Sequence, residues 1–199
     1  MKKALVVFLV LFVWVIPVYA VTPVTEDMIL EAQAYGRAKV ELELHEFLAP
    51  WTVYAEKAEK ISVASDRVLL YTPYLLLAYD ACNKMRAGQP IKVTDAEKIL
   101  ADFAGYHVFT VILHGESPAF AEKMTTVAKQ ANKTILPYHV TLMPPESASA
   151  AGGQKSGYSI HAYVYFVDKE IKADQPVILS VTTTDAKARN FHFDLSKIR

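Results

Sequence analysis

Cysteine is almost missing from this chain: Cys82 is the one cysteine in 199 residues. No intramolecular disulfide can form, so stability has to come from a packed interior, and an apolar fraction of 52% can supply one. Cys82 itself reads as a small buried thiol, with Ala78 and Tyr79 a turn before it on a helical pattern and Met85 a turn after. A charge surplus is missing too, since 21 Lys and Arg stand against 21 Asp and Glu. Without a basic excess there is no electrostatic footprint for nucleic acid or an anionic membrane, and both are set aside as partners. Long apolar runs are missing after residue 20, so no later segment is long enough to span a bilayer.

What the first residues do contain is specific. "MKKALVVFLVLFVWVIPVYA" has Lys2 and Lys3, then an apolar run to Ile16, then Pro17 and small residues at Val18 and Ala20. A charged start, a short apolar segment and a small-residue site predict a secretory signal peptide over residues 1–20, cleaved after Ala20. An uncleaved anchor needs about 20 apolar residues, a length reached here only if Pro17 and Tyr19 are counted. The expectation is export to the periplasm, the cell surface or the medium, and the Met-Lys-Lys start has a bacterial look. No cysteine follows the cleavage region, so lipid attachment is not expected.

Residues 25–48 predict a helix capped by Thr25, with Glu26 and Asp27 in the first turn and Pro50 beyond the end. "AKVELELH" conflicts with it, because it also alternates with period two. A β-hairpin turning near Ser65-Asp66 follows. "TPYLLLAYDACNKMRAG" predicts a helix with Thr72 at the cap, Pro73 at the first position and Gly88 past the end. "TDAEKILADFAG" predicts another, with Thr94 and Glu97 as a capping box and Gly105 as the stop.

From residue 106 the period changes to two. "YHVFTVILH", "MTTVAKQ", "KTILPYHVTLM", "YSIHAYVYFVD", "QPVILSVTTT" and "RNFHFDLSKI" read as about six strands, the second and third turning at Ala131-Asn132. "SPAFAEK" reads as a short helical turn, and "PPESASAAGGQKSG" has the composition of a surface loop. Helices at the front and strands at the back make an α+β chain. Residues 21–104 are expected to be mainly helical with a β-hairpin, and residues 105–199 an antiparallel β-sandwich packed against them. The strand pattern of this half is similar to that of immunoglobulin-like modules on exported bacterial proteins. The resemblance implies the sandwich and no site.

In "YSIHAYVYFVDKE" one set of alternate residues, Ile160, Ala162, Val164 and Phe166, suits a dry core. The other, His161, Tyr163 and Tyr165, is aromatic with polar tips and is the candidate binding face. It predicts either a covering helix of the same chain or an extracytoplasmic protein, peptide or glycan partner. The favoured function is thus a non-enzymatic exported binding module, with no cofactor.

The alternative is a metal-dependent or hydrolytic enzyme using two His/acid pairs, His114 with Glu116 and His192 with Asp194. Residues i and i+2 of a strand share a face, so each pair can offer an imidazole and a carboxylate to one ion. No H-E-x-x-H or Cys/His cluster forces the pairs together, and Phe191 and Phe193 alternating with His192 and Asp194 also fit a plain solvent face. "GGQKSG" (152–157) lacks the glycine spacing and following helix of a phosphate loop. Ser117 has His114 and Glu116 nearby but is explained as the cap before Pro118. Asn132 matches a glycosylation sequon and reads as a turn residue. Trp51, Tyr54, Tyr71, Tyr74 and Tyr79 read as core before groove.

Overall fold

Two threonines start the two long helices. In the computed structural model, which describes residues 24–56, 58, 61–62, 64–148, 157–184 and 188–199, the Thr25 hydroxyl accepts the Met28 N–H at 3.2 Å and the Thr72 hydroxyl that of Leu75 at 3.1 Å. Each satisfies one of the amides a helix start leaves without a partner. The signal-peptide segment 1–20 and nearly all of the 152–157 stretch lie outside the described residues. The elements run α1 (Glu26–Ala38), α2 (Leu44–Leu48), β1 (Thr52–Tyr54), β2 (Arg67–Tyr71), α3 (Pro73–Arg86), α4 (Ala96–Leu100), β3 (Tyr106–Gly115), β4 (Thr125–Gln130) and β5 (Lys133–Ile135). They continue with β6 (His139–Leu142), β7 (Glu146–Ala148), β8 (Gly157–Val167), β9 (Pro176–Thr182) and β10 (Ala188–Asp194).

Four expected segments come out differently, the first being the stretch read as a surface loop after Met143, which carries β7 paired with β8. The helix expected over 25–48 stops at Ala38 and restarts at Leu44. The intervening carbonyls are taken by Arg86 of α3: its guanidinium donates to Val40 O at 2.8 Å and Leu42 O at 2.7 Å. A tertiary partner thus overrides the helical propensity of the Lys39–Glu43 segment. Thr94 lies inside a 3-10 turn, Val93–Asp95, and α4 starts after it. "KTILPYHVTLM" is not one strand; it breaks at Pro137, which has no N–H to give a ladder. Its first part, β5, pairs with β4, and its second part, β6, crosses over and pairs with β8.

The strands form two antiparallel sheets, one in the order β1-β2-β3-β8-β6 with β7 also on β8, the other in the order β10-β9-β4-β5. Helices plus this sandwich make the chain α+β, as its sequence pattern predicts. The sheet crosses the division drawn at residue 105, because β1 and β2 precede it and β2 pairs with β3 from Arg67↔Ile112 to Tyr71↔Val108. The hairpin assigned to the helical region is therefore part of the large sheet.

Between the sheets lie Val68, Phe109, Val111, Leu113, Ile160, Ala162, Val164, Phe166, Leu179, Phe191 and Phe193, all buried. Phe109 meets Phe166 and Phe193 edge-on at 5.8 and 5.2 Å between centroids. Each such side chain contributes about 1.5–3 kcal/mol by leaving water. A second core, with Ala32, Phe47, Trp51, Leu69, Tyr74, Leu75, Leu77, Ala78 and Cys82, seats the helices on the outer side of β2. There α1 and α3 touch so closely that a Cβ on Gly36 would lie 2.1 Å from the Ala78 carbonyl oxygen. The main-chain oxygen of Arg199 closes this layer, accepting from the Trp51 indole at 2.7 Å and the Thr72 hydroxyl at 2.6 Å.

Candidate functional site

The outer face of the large sheet can be read in rows across its strands. Tyr71, Val108, Tyr165 and His139 stand side by side, and Leu69, Thr110, Tyr163 and Thr141 form the next row. His161 follows beside Ile112, and its carbonyl takes the Met143 N–H at 2.8 Å.

Cover by the helical layer fades along each row. Leu69 and Thr110 are 7% and 4% exposed. His161, Tyr163 and Tyr165 on β8 are half-buried, and His139 and Thr141 on β6 are exposed. The helices therefore cover β2 and part of β3, and the aromatic half of the face is left at the β6 side. Burial pushes the Tyr71 phenol above its ordinary pKa, and the neighbouring Tyr163, Tyr79 and Tyr165 push it further.

At that side the structure gathers residues that the sequence pattern did not single out. Tyr106 lies 5.3 Å from Tyr138 and 6.1 Å from Tyr165 between ring centroids, the latter edge-on. His139 lies 6.0 Å from Tyr165, and its Nε2 is 3.0 Å from the Thr141 hydroxyl. The Tyr138 N–H donates to the Tyr165 carbonyl at 2.7 Å, which fixes Tyr138 just ahead of β6. In and beside β6, Leu136, Tyr138, Leu142 and Met143 are 70%, 68%, 42% and 43% exposed, Leu142 being on the sandwich side of the strand, in register with Ala162. Four large apolar side chains thus stand in water within eight consecutive residues, a concentration a soluble surface rarely carries without a use. Among the described residues β6 pairs only with β8, so its other edge has no strand. Pro137, Pro144 and Pro145 bracket it, the usual guard on a free edge.

No protein-family model matches the chain, and no curated protein sequence does. Among solved structures it is similar to IgNAR antibody domain C1, at 11% identity over 47% of this chain and 79% of that one, with a TM-score of 0.32. It is also similar to IgNAR antibody domain C3, at 14% identity over 49% and 83%, with a TM-score of 0.31. Neither likeness bears on what this chain binds.

The His/acid pairs are drawn to other partners. His114 faces Asp66, whose carboxylate accepts the His114 N–H at 2.8 Å, with the imidazole Nδ1 at a loose 3.5 Å. The other oxygen of Asp66 accepts from Arg189 Nε at 2.5 Å, and Arg189 reaches on to the Thr183 hydroxyl at 2.6 Å. Burial pushes the Asp66 carboxyl up, but the hydrogen bonds from His114 and Arg189 and the guanidinium charge outweigh it and hold the pKa below the ordinary range. Glu116 lies exposed beyond β3. His192 Nε2 is 3.5 Å from the Glu56 carboxylate, while Asp194 is held by Lys197 at 2.7 Å and the Ser196 hydroxyl at 2.6 Å. Among the described residues no three His, Cys, Asp or Glu side chains gather as metal ligands would. No helix there is long and apolar enough to cross a membrane.

Proposed function

We propose that this chain is an exported bacterial binding module, without catalytic activity, that holds a short polypeptide segment along β6. One observation carries the reading: the unpaired edge of β6 coincides with the exposed Leu136, Tyr138, Leu142 and Met143 and with the Tyr106/Tyr165/His139 cluster. A strand laid on that edge would take its affinity from main-chain hydrogen bonds and its selectivity from the apolar side chains beside it. A glycan fits the surface less well. Sugar binding needs aromatic platforms with a dense set of polar partners, whereas three of the four most exposed side chains here are aliphatic or thioether. The flanking prolines limit the added strand to about the length of β6, so binding is expected to be weak and reversible. Export rests on the charged and apolar start of the sequence.

The test is selection of the purified chain against a displayed library of random peptides and, in parallel, a glycan array. Extended peptides with apolar residues at alternate positions should be enriched, and Leu142→Lys should abolish their binding. His192→Ala, on the opposite sheet, should leave it unchanged. Selection of glycans alone, or peptide binding indifferent to Leu142→Lys, overturns the proposal.

A further inference from the structure

A second concavity lies where β2 hands over to α3 and faces the turn into β3. It has a volume of about 660 Å³, within the range of small-molecule sites, and Met28, Leu76 and Leu100 are among its apolar walls. Its charged lining is mostly of one sign. Asp27 and Glu31 reach it from α1, one helical turn apart, and Asp168 from just past β8, where its N–H donates to the Gly105 carbonyl at 3.0 Å. Arg199 is the one permanent cation among the described lining residues, so three carboxylates stand against one guanidinium. His107 adds no positive charge at neutral pH. Burial holds its imidazole pKa below the ordinary value, against the Ile171 main chain and the Asp168 carboxylate, which favour the charged ring.

The chain itself fills one cation position in the cleft. The Arg199 guanidinium lies 5.0 Å over the Tyr74 ring and reaches Glu31 at 2.6 Å, so a ring and a carboxylate already hold a positive group there. A second pair of rings lines the same cleft. Tyr71 and Phe103 meet at 5.4 Å between centroids, tilted by 48°, and both are half-buried. Among the described residues no cation lies over either ring, and neither Asp27 nor Asp168 has an ion pair.

We propose that this cleft binds a quaternary-ammonium compound with an apolar tail, its methylated nitrogen against Tyr71 and Phe103 in the field of Asp27 and Asp168. Such a cation suits these walls, because it has no N–H to leave unsatisfied and its methyl groups tolerate apolar surroundings. A primary ammonium would lose strong hydration there without gaining a full set of acceptors. Low-dielectric walls focus the field of the carboxylates on the cleft, so their pull on the cation needs no direct contact. An anionic head meets the same field as repulsion.

Isothermal titration of the purified full chain with three matched probes tests this: benzyltrimethylammonium, its neutral analogue dimethylbenzylcarbinol, and phenylmethanesulfonate. The cation should bind with 1:1 stoichiometry and about tenfold more tightly than the alcohol, the gain of a cation held on aromatic rings out of water. The sulfonate should be the weakest of the three. Asp27→Asn combined with Asp168→Asn keeps the shape of both side chains, and it should weaken the cation about tenfold while leaving the alcohol unchanged. Phe103→Leu keeps the wall apolar, and it should weaken the cation about threefold and the alcohol little. Near-ultraviolet circular dichroism shows which variants retain the fold. The absence of 1:1 binding by the cation overturns the proposal. So does an alcohol or sulfonate that binds as tightly as the cation, or a cation affinity unchanged in whichever of the variants is folded.

Discussion

Asp66 shows how much a single residue's role depends on what the fold brings to it. In the sequence it is a turn residue, and it does sit just before β2. Its partner Arg189 is 123 positions away, a distance across which no spacing rule reaches. Arg189 is 9% exposed, so removing the carboxylate would take from a guanidinium largely out of water the ion pair and hydrogen bond that Asp66 gives it. Asp66→Ala is expected to cost about 2–3 kcal/mol in urea unfolding, below the range for fully buried pairs because Asp66 keeps some contact with solvent. Its depressed pKa contributes stability that is present above the unfolded value of about 3.9 and lost as pH falls through the folded one. Ala131 is the opposite case, a residue placed correctly by its sequence at the β4–β5 turn but of the wrong type for it. Its φ is 50°, in the region that favours glycine. Ala131→Gly should raise stability by about 0.5–1 kcal/mol, read as a higher melting temperature.

Among the elements, those with agreeing local signals were legible. α3 has its threonine cap, its proline at the first position and Gly88 at a φ of 64°, and it forms as the sequence reads. The dry face of β8 follows from its alternation alone, since Ile160, Ala162, Val164 and Phe166 are all at most 1% exposed. Elements decided by a distant partner were not legible. The end of α1 depends on Arg86, and the break between β5 and β6 depends on which sheet each half can join. The close crossing of α1 and α3 was hidden as well, because nothing in the sequence around Gly36 names the backbone it will meet. Its Cβ would run into backbone at Ala78, not into a side chain that can swing aside. Gly36→Ala should therefore destabilise the chain by about 1–3 kcal/mol despite its better helix propensity, shown by a lower urea midpoint.

At the scale of the whole molecule, the question raised by the aromatic face of β8 has a divided answer. The helical layer is wide enough to cover β2 and the near side of β3, and too narrow to reach β6. The three residues singled out in the sequence mark the boundary between covered and open. Tyr106, Tyr138 and His139 extend the aromatic cluster, and alternation along β8 could not find them because they lie outside that strand. The proton balance of the fold also belongs at this scale. His107 has a folded pKa below its unfolded value of about 6.5, so unfolding takes up a proton as the pH drops. The stability contributed by the neutral ring is present above that value and declines as pH falls through the folded one. Denaturation midpoints should fall between pH 7 and pH 5, before the carboxylates begin to titrate, and His107→Gln should flatten that slope.

The switch of sheets at Pro137 has a consequence for biosynthesis. While the chain is being made, β5 finds β4 at once, but β6 emerges before the strand it will pair with exists. Leu136 through Met143 then trails as a sticky, unpaired ribbon until β8 has followed it, a window in which nascent chains can associate with one another. Passage through a membrane pore in the unfolded state would lengthen that window. A holding chaperone acting on this segment would shorten the odds of aggregation more than one acting on any helix of the chain.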